Sequence, residues 1–151
     1  MTTIGLVIRG AIERAMERFN LPDSESAVRL LLMIAAHESG GFHYCKQIKG
    51  PALGLFQMEP FTYQATIDYL DRTGKFPALT RRFKAERMIV DAEFAAAFAR
   101  VYLYQFPEPL PDADDLEGLA RYAKQYWNTE AGKATAEHYL TAFKRHVWGG
   151  V

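Results

Sequence analysis

The sequence predicts a mainly α, single-domain fold spanning residues 1–151, organised around one buried helix that ends at Glu38. Three observations predict it. Apolar residues recur at helical spacing along almost the whole chain. In the segment from Val28 to Ala35, Val28, Leu31, Leu32 and Ala35 form one stripe that Leu30, Met33 and Ile34 widen, as expected of a helix surrounded by others. The chain is also long enough, at 151 residues and 49% hydrophobic, to close a core without disulfides or a structural metal.

Ile4, Val7, Ile8, Ala11, Ile12, Ala15, Met16 and Phe19 mark one face of a first helix, which Asn20 and Pro22 end. Asp23 or Ser24 caps the second, which runs to about Ser39. Gly40 and Gly41 then offer left-handed backbone, so the helix stops just after Glu38 and leaves that side chain at the edge of the core. Residues 42–58 contain Gly50-Pro51 and Gly54 and read as loop or a small β-hairpin. Pro60 opens a third helix through about Thr73, and a long helical segment follows from Lys84 to Phe106, with alanines in Phe94 to Ala99 suited to close packing. After the stiff connector of Pro107, Pro109 and Pro111, Asp114 or Asp115 caps a helix to about Trp127, and a last helix covers about Lys133 to Trp148.

Composition excludes several functions. Eighteen basic and eighteen acidic residues leave no net charge to attract nucleic acid or an anionic membrane surface. No stretch longer than nine residues lacks a charge, which argues against membrane insertion. The apolar run Ile4 to Ile8 is five residues, short of the ~7–15 of a signal-peptide core, so no export signal is evident. Cys45 is the single cysteine and reads as a plain thiol.

Glu38 is the candidate for chemistry. A carboxylic acid against an apolar wall keeps its proton near neutral pH, which is what a general acid needs. Ser39 is placed to orient that carboxyl or to serve as a local backbone partner. Gly54-Leu55-Phe56-Gln57 follows, with Gln57 lying 19 residues after Glu38. The Gln57 amide offers both a donor and an acceptor to a ligand, while Phe56 belongs to the core or a cleft wall.

Glu38-Ser39 followed by Gly54-Leu55-Phe56-Gln57 resembles the lytic transglycosylases of the lysozyme superfamily, which cut the glycan strands of peptidoglycan. That family commonly has Met where this chain has Phe56. A third family pattern, Ala-Tyr-Asn followed by glycines, corresponds to Tyr126-Trp127-Asn128 with Gly132, and two alignments stay open. In one, the Tyr126 hydroxyl steadies Glu38 or the substrate; in the other, Trp127 stacks on a sugar face. The resemblance, over residues 24–143, implies a lysozyme-like fold with a small β element on one side of the cleft. It also implies Glu38 as the catalytic acid, with Ser39, Gln57, Tyr126, Trp127 and Asn128 as substrate contacts. It implies no cofactor. The partners would be peptidoglycan glycan strands and, for a phage-borne or holin-released protein, other structural or lysis proteins of the phage.

His37, His43 and Cys45 do not make a zinc motif. His37 and His43 stand six residues apart, about 120° out of phase on a helix, with Gly40 and Gly41 breaking the helix between them. No second carboxylate has a spacing that ties it to Glu38, which favours transglycosylation over hydrolysis; Glu59 or Asp68 folding back across the cleft would reverse that preference. A glycan-binding module without turnover is the third reading.

Overall fold

One local device starts five of the helices in the computed structural model, which describes residues 1–47, 49–79, 84–128 and 132–150. The side-chain oxygens of Thr2, Ser24, Asp91, Asp115 and Thr135 each accept a hydrogen bond from a backbone N–H three residues on. The helices they cap are α1 (Thr3–Arg18), α2 (Glu25–Glu38), α5 (Ala92–Tyr104), α6 (Leu116–Tyr122) and α7 (Ala136–Ala142). Pro60 starts α3 (Pro60–Thr73), and α4 is the single turn Arg87–Val90. Both α6 and α7 continue as π-helical turns, Ala123–Asn128 and Phe143–Trp148.

The expected helix from Lys84 to Phe106 is thus two elements. Asp91 sits between them in extended backbone (φ −131°, ψ 94°), and its carboxylate caps Phe94 N–H at 3.0 Å. The cap satisfies an orphan donor of α5, and the chain bends to make it. The β element is also smaller than expected: two isolated antiparallel bridges, Lys46 with Leu53 and Leu53 with Met58, and no strand among the described residues.

The fold is mainly helical, with α2 at its centre. Residues 30–36 of α2 are all buried, and the helix touches α1, α5, α6 and α7. Burying such a stripe is the main driving force for the arrangement. Ala95, Ala96, Ala97 and Ala99 let α5 lie close against its neighbours, α1 among them. The two ends of the chain meet where Thr2 N–H donates to Val147 O at 2.8 Å and Thr2 Oγ1 to His146 O at 2.6 Å. Among the described residues no helix is long and apolar enough to cross a membrane.

Candidate active site

Glu38 is the last residue of α2, and the turn that follows fixes where it points. Gly40, at φ +63°, donates its N–H to His37 O, and Gly41 donates to Ala36 O at 2.8 Å, the paired bonds of a Schellman stop. Ser39 locks the same turn. Its buried hydroxyl donates to Ala35 O at 2.6 Å and accepts from Phe42 N–H at 2.7 Å. Ser39 thus serves as a local backbone partner, its hydroxyl fully buried in the turn and turned away from solvent.

The Glu38 side chain projects into a cleft of two connected compartments that share Glu38, Gln57 and Glu59. The larger, about 390 Å³, adds Tyr44, Gln47 and Ala52. The smaller, about 200 Å³, adds Thr62, Tyr102, Trp127 and Asn128. Glu38 and Gln57 thus stand where the compartments meet, the place for groups that act on the middle of an extended ligand.

Two forces act on the Glu38 carboxyl. Burial pushes its pKa above the ordinary value, and the Tyr139 hydroxyl, donating to Oε1 at 2.7 Å, pulls it partway back. The C-terminal end of a helix is also a poor place for negative charge, which further favours the protonated form. Tyr139 is itself buried, and its own pKa is raised by that burial, by the Glu38 charge and by the hydrogen bond, with an opposing hydrogen bond from Asn128. Asn128 is held in turn by Lys124, whose Nζ donates to Asn128 Oδ1 at 2.8 Å and to Gly132 O at 3.0 Å. Lys124 thus holds Asn128 beside the Tyr139 hydroxyl that donates to Glu38.

The third motif resolves accordingly. Tyr126 turns away from the cleft: its hydroxyl bonds the Glu108 carboxylate, and its ring packs on Phe106 and Tyr122. It neither steadies Glu38 nor lines a compartment, so its expected role falls to Tyr139. Trp127 faces the cleft, wedged edge-on between Phe56 (6.4 Å) and Tyr102 (5.5 Å). Tyr139 was missed because no motif contains it. One signal was available: a tyrosine on the core face of the last helix, in line with Leu140, Phe143 and Val147, requires a partner for its hydroxyl.

Gln57 reaches the cleft from a turn. Residues 54–57 form it, with Gly54 at φ +78° and Gln57 at φ +53°. The left-handed backbone turns Gln57 outward, while Phe56 is 2% exposed in the core. The Gln57 amide donates to Gly54 O at 2.9 Å, which orients it. Only glycine fits at 54, since a Cβ there would lie 2.8 Å from Met88 O of α4.

Glu59 borders both compartments, whereas Asp68 lies on exposed helix surface bonded to Gln64. Cys45 is an exposed free thiol, and among the described residues no group of three or more His, Cys, Asp and Glu is arranged to hold a metal. No protein-family model, curated protein or solved structure matches the chain. The resemblance to lytic transglycosylases is one of sequence motifs.

Proposed function

We propose that the protein is a peptidoglycan lytic transglycosylase on a lysozyme-like fold, cleaving the β-1,4 bond between N-acetylmuramic acid and N-acetylglucosamine. The observation that carries this reading is the half-buried Glu38 carboxyl, raised in pKa and held by Tyr139 at the waist of a two-compartment cleft. Glu38 donates its proton to the bridging oxygen as that bond breaks. As carboxylate it then accepts the proton of the muramyl 6-hydroxyl, whose oxygen bonds to the anomeric carbon and closes a 1,6-anhydro ring. No water is consumed, and the acid is returned protonated. Gln57 and Asn128 offer amides to acetamido and hydroxyl groups, and Trp127 an aromatic wall. A phage-borne or holin-released protein acting on the bacterial wall, alongside other phage lysis or structural proteins, is the setting we propose.

Glu59 supports a second reading. As another carboxylate bordering both compartments, it stands where a hydrolase would keep a group to hold water or the sugar. Mass spectrometry of digested murein separates the two. Anhydro ends that persist in Glu59→Gln support transglycosylation, whereas reducing ends that vanish in Glu59→Gln support hydrolysis. No turnover of purified murein by the wild-type protein would leave a glycan-binding module.

A further inference from the structure

Three of the four histidines line a groove that shares no residue with the cleft. Its volume is about 460 Å³, and His37, His138, His146, Arg145 and Thr141 supply its polar groups. The fourth histidine, His43, acts electrostatically on His146. In a chain whose acids and bases are equal in number, the absence of any carboxylate from this lining is a local separation of charge. Arg145 has no ion-pair partner among the described residues.

The groove is held by backbone contacts. The His146 ring lies directly on Gly41, where a Cβ would approach Cε1 to 2.6 Å, and the backbone φ of +78° also disfavours a side chain. The His146 carbonyl is fixed by the Thr2 hydroxyl. His138 closes the capping box of α7, its Nδ1 accepting from Thr135 N–H at 3.1 Å, so in the neutral ring Nε2 carries the proton. The His37 and His138 rings stack nearly parallel, 6.0 Å apart and 13° between planes. Stacking turns ring faces and not lone pairs toward each other, which is wrong for a shared metal ion.

We propose that this groove binds a tetrahedral oxyanion of the phosphate type, with Arg145 supplying permanent charge, His138 an Nε2–H donor, and the imidazoles of His37 and His146 donors that become charged on acidification. Guanidinium and imidazolium groups suit such an anion because their N–H donors are charge-assisted. The groups acting on the two more buried rings are cationic or neutral: His138 and the Tyr139 ring from α7 face His37, the latter at 4.5 Å, and Arg145 and His43 face His146, with the Thr2 hydroxyl on its carbonyl side. Burial, followed by these neighbours, lowers the pKa of both rings. An anion favours the protonated rings, so binding takes up protons and strengthens as pH falls.

Sulfate, whose charge is constant across the range, is the first probe, titrated by calorimetry at fixed ionic strength near pH 5.5 and near pH 7.5. Saturable binding is expected, about tenfold or more tighter at the lower pH, as for uptake of at least one proton. Arg145→Gln is expected to weaken it about tenfold, and Arg72→Gln, on the exposed side of α3, to leave it unchanged. A glycerol phosphodiester in parallel identifies the source: tighter binding than sulfate assigns the site to a phosphodiester polymer, weaker binding to a free ion. No saturable binding of either probe at either pH, or equal binding by Arg145→Gln and wild type, overturns the proposal. The readout is binding and not glycan cleavage, so it stands or falls independently of the catalytic reading.

Discussion

Replacing Tyr139 by Phe removes one oxygen from a buried position and, with it, the hydrogen bond to Glu38 Oε1 at 2.7 Å. A hydrogen bond to a charged group is worth about 1.5–3 kcal/mol and one between neutral groups about 0.5–1.5 kcal/mol. The variant is therefore destabilised by about 1 kcal/mol at low pH, where Glu38 is protonated, and by about 2 kcal/mol where it is ionised. That difference means the lost bond had favoured the carboxylate, so the Glu38 pKa, already raised by burial, rises further in the variant. As the acid must be protonated to act, the alkaline limb of its pH–rate profile moves to higher pH. Urea denaturation near pH 4 and near pH 8 measures the first effect, and murein clearing across pH the second. Equal destabilisation at both pH values, or an alkaline limb displaced to lower pH, would refute the coupling of Tyr139 to Glu38.

Glu38→Gln keeps the acceptor for Tyr139 but has no proton to give, so cleavage should fall by about 10²–10⁴-fold with the fold intact; retention of more than about a tenth of the wild-type rate would move the catalytic role elsewhere. Its stability relative to wild type should also depend on pH. A folded-state pKa above the unfolded one contributes stability that is complete below the unfolded value and lost as pH rises through the folded value; Gln escapes that loss, so its Tm should exceed that of wild type at alkaline pH and converge with it in acid. Phe56→Ala should cost about 3–5 kcal/mol, a core cavity, whereas Gln57→Ala should lower the clearing rate with a much smaller change in Tm; the reverse pattern in melts and rates would put the cleft wall inside out. EDTA should leave activity unchanged, and a reversible loss restored by zinc would contradict the metal-free chemistry.

Helix boundaries were legible where a single residue decides them. Ser24, Pro60, Asp115 and the Gly40-Gly41 stop do their work through local backbone geometry, which the sequence displays directly. Asp91 was overlooked because the apolar period continues across it; only the bend reveals that its carboxylate caps α5. The cleft was half legible. Glu38 and Gln57 belong to short motifs, but a motif does not show that left-handed backbone turns Gln57 outward. Tyr126 and Trp127 stay open in the sequence because two alignments of their motif are possible. They lie in the π-helical turn Ala123–Asn128, where the wider spacing shifts side chains away from the directions an α-helical wheel assigns. Tyr139 pairs with Glu38 across 101 residues, a distance at which local pattern carries no information about the partner.

That separation also bears on when the acid comes into being as the chain folds. Until α7 docks on α2, Glu38 lacks the hydrogen-bond donor that the folded structure gives it. Because the contact closes a loop over most of the chain, its entropic cost comes late and is met only once local helices can support it. The turn following α7 is fastened to Thr2 as well, so docking of the final helix joins both ends of the molecule in one event. The environment of Glu38 is then a product of topology, complete only when α7 is in place.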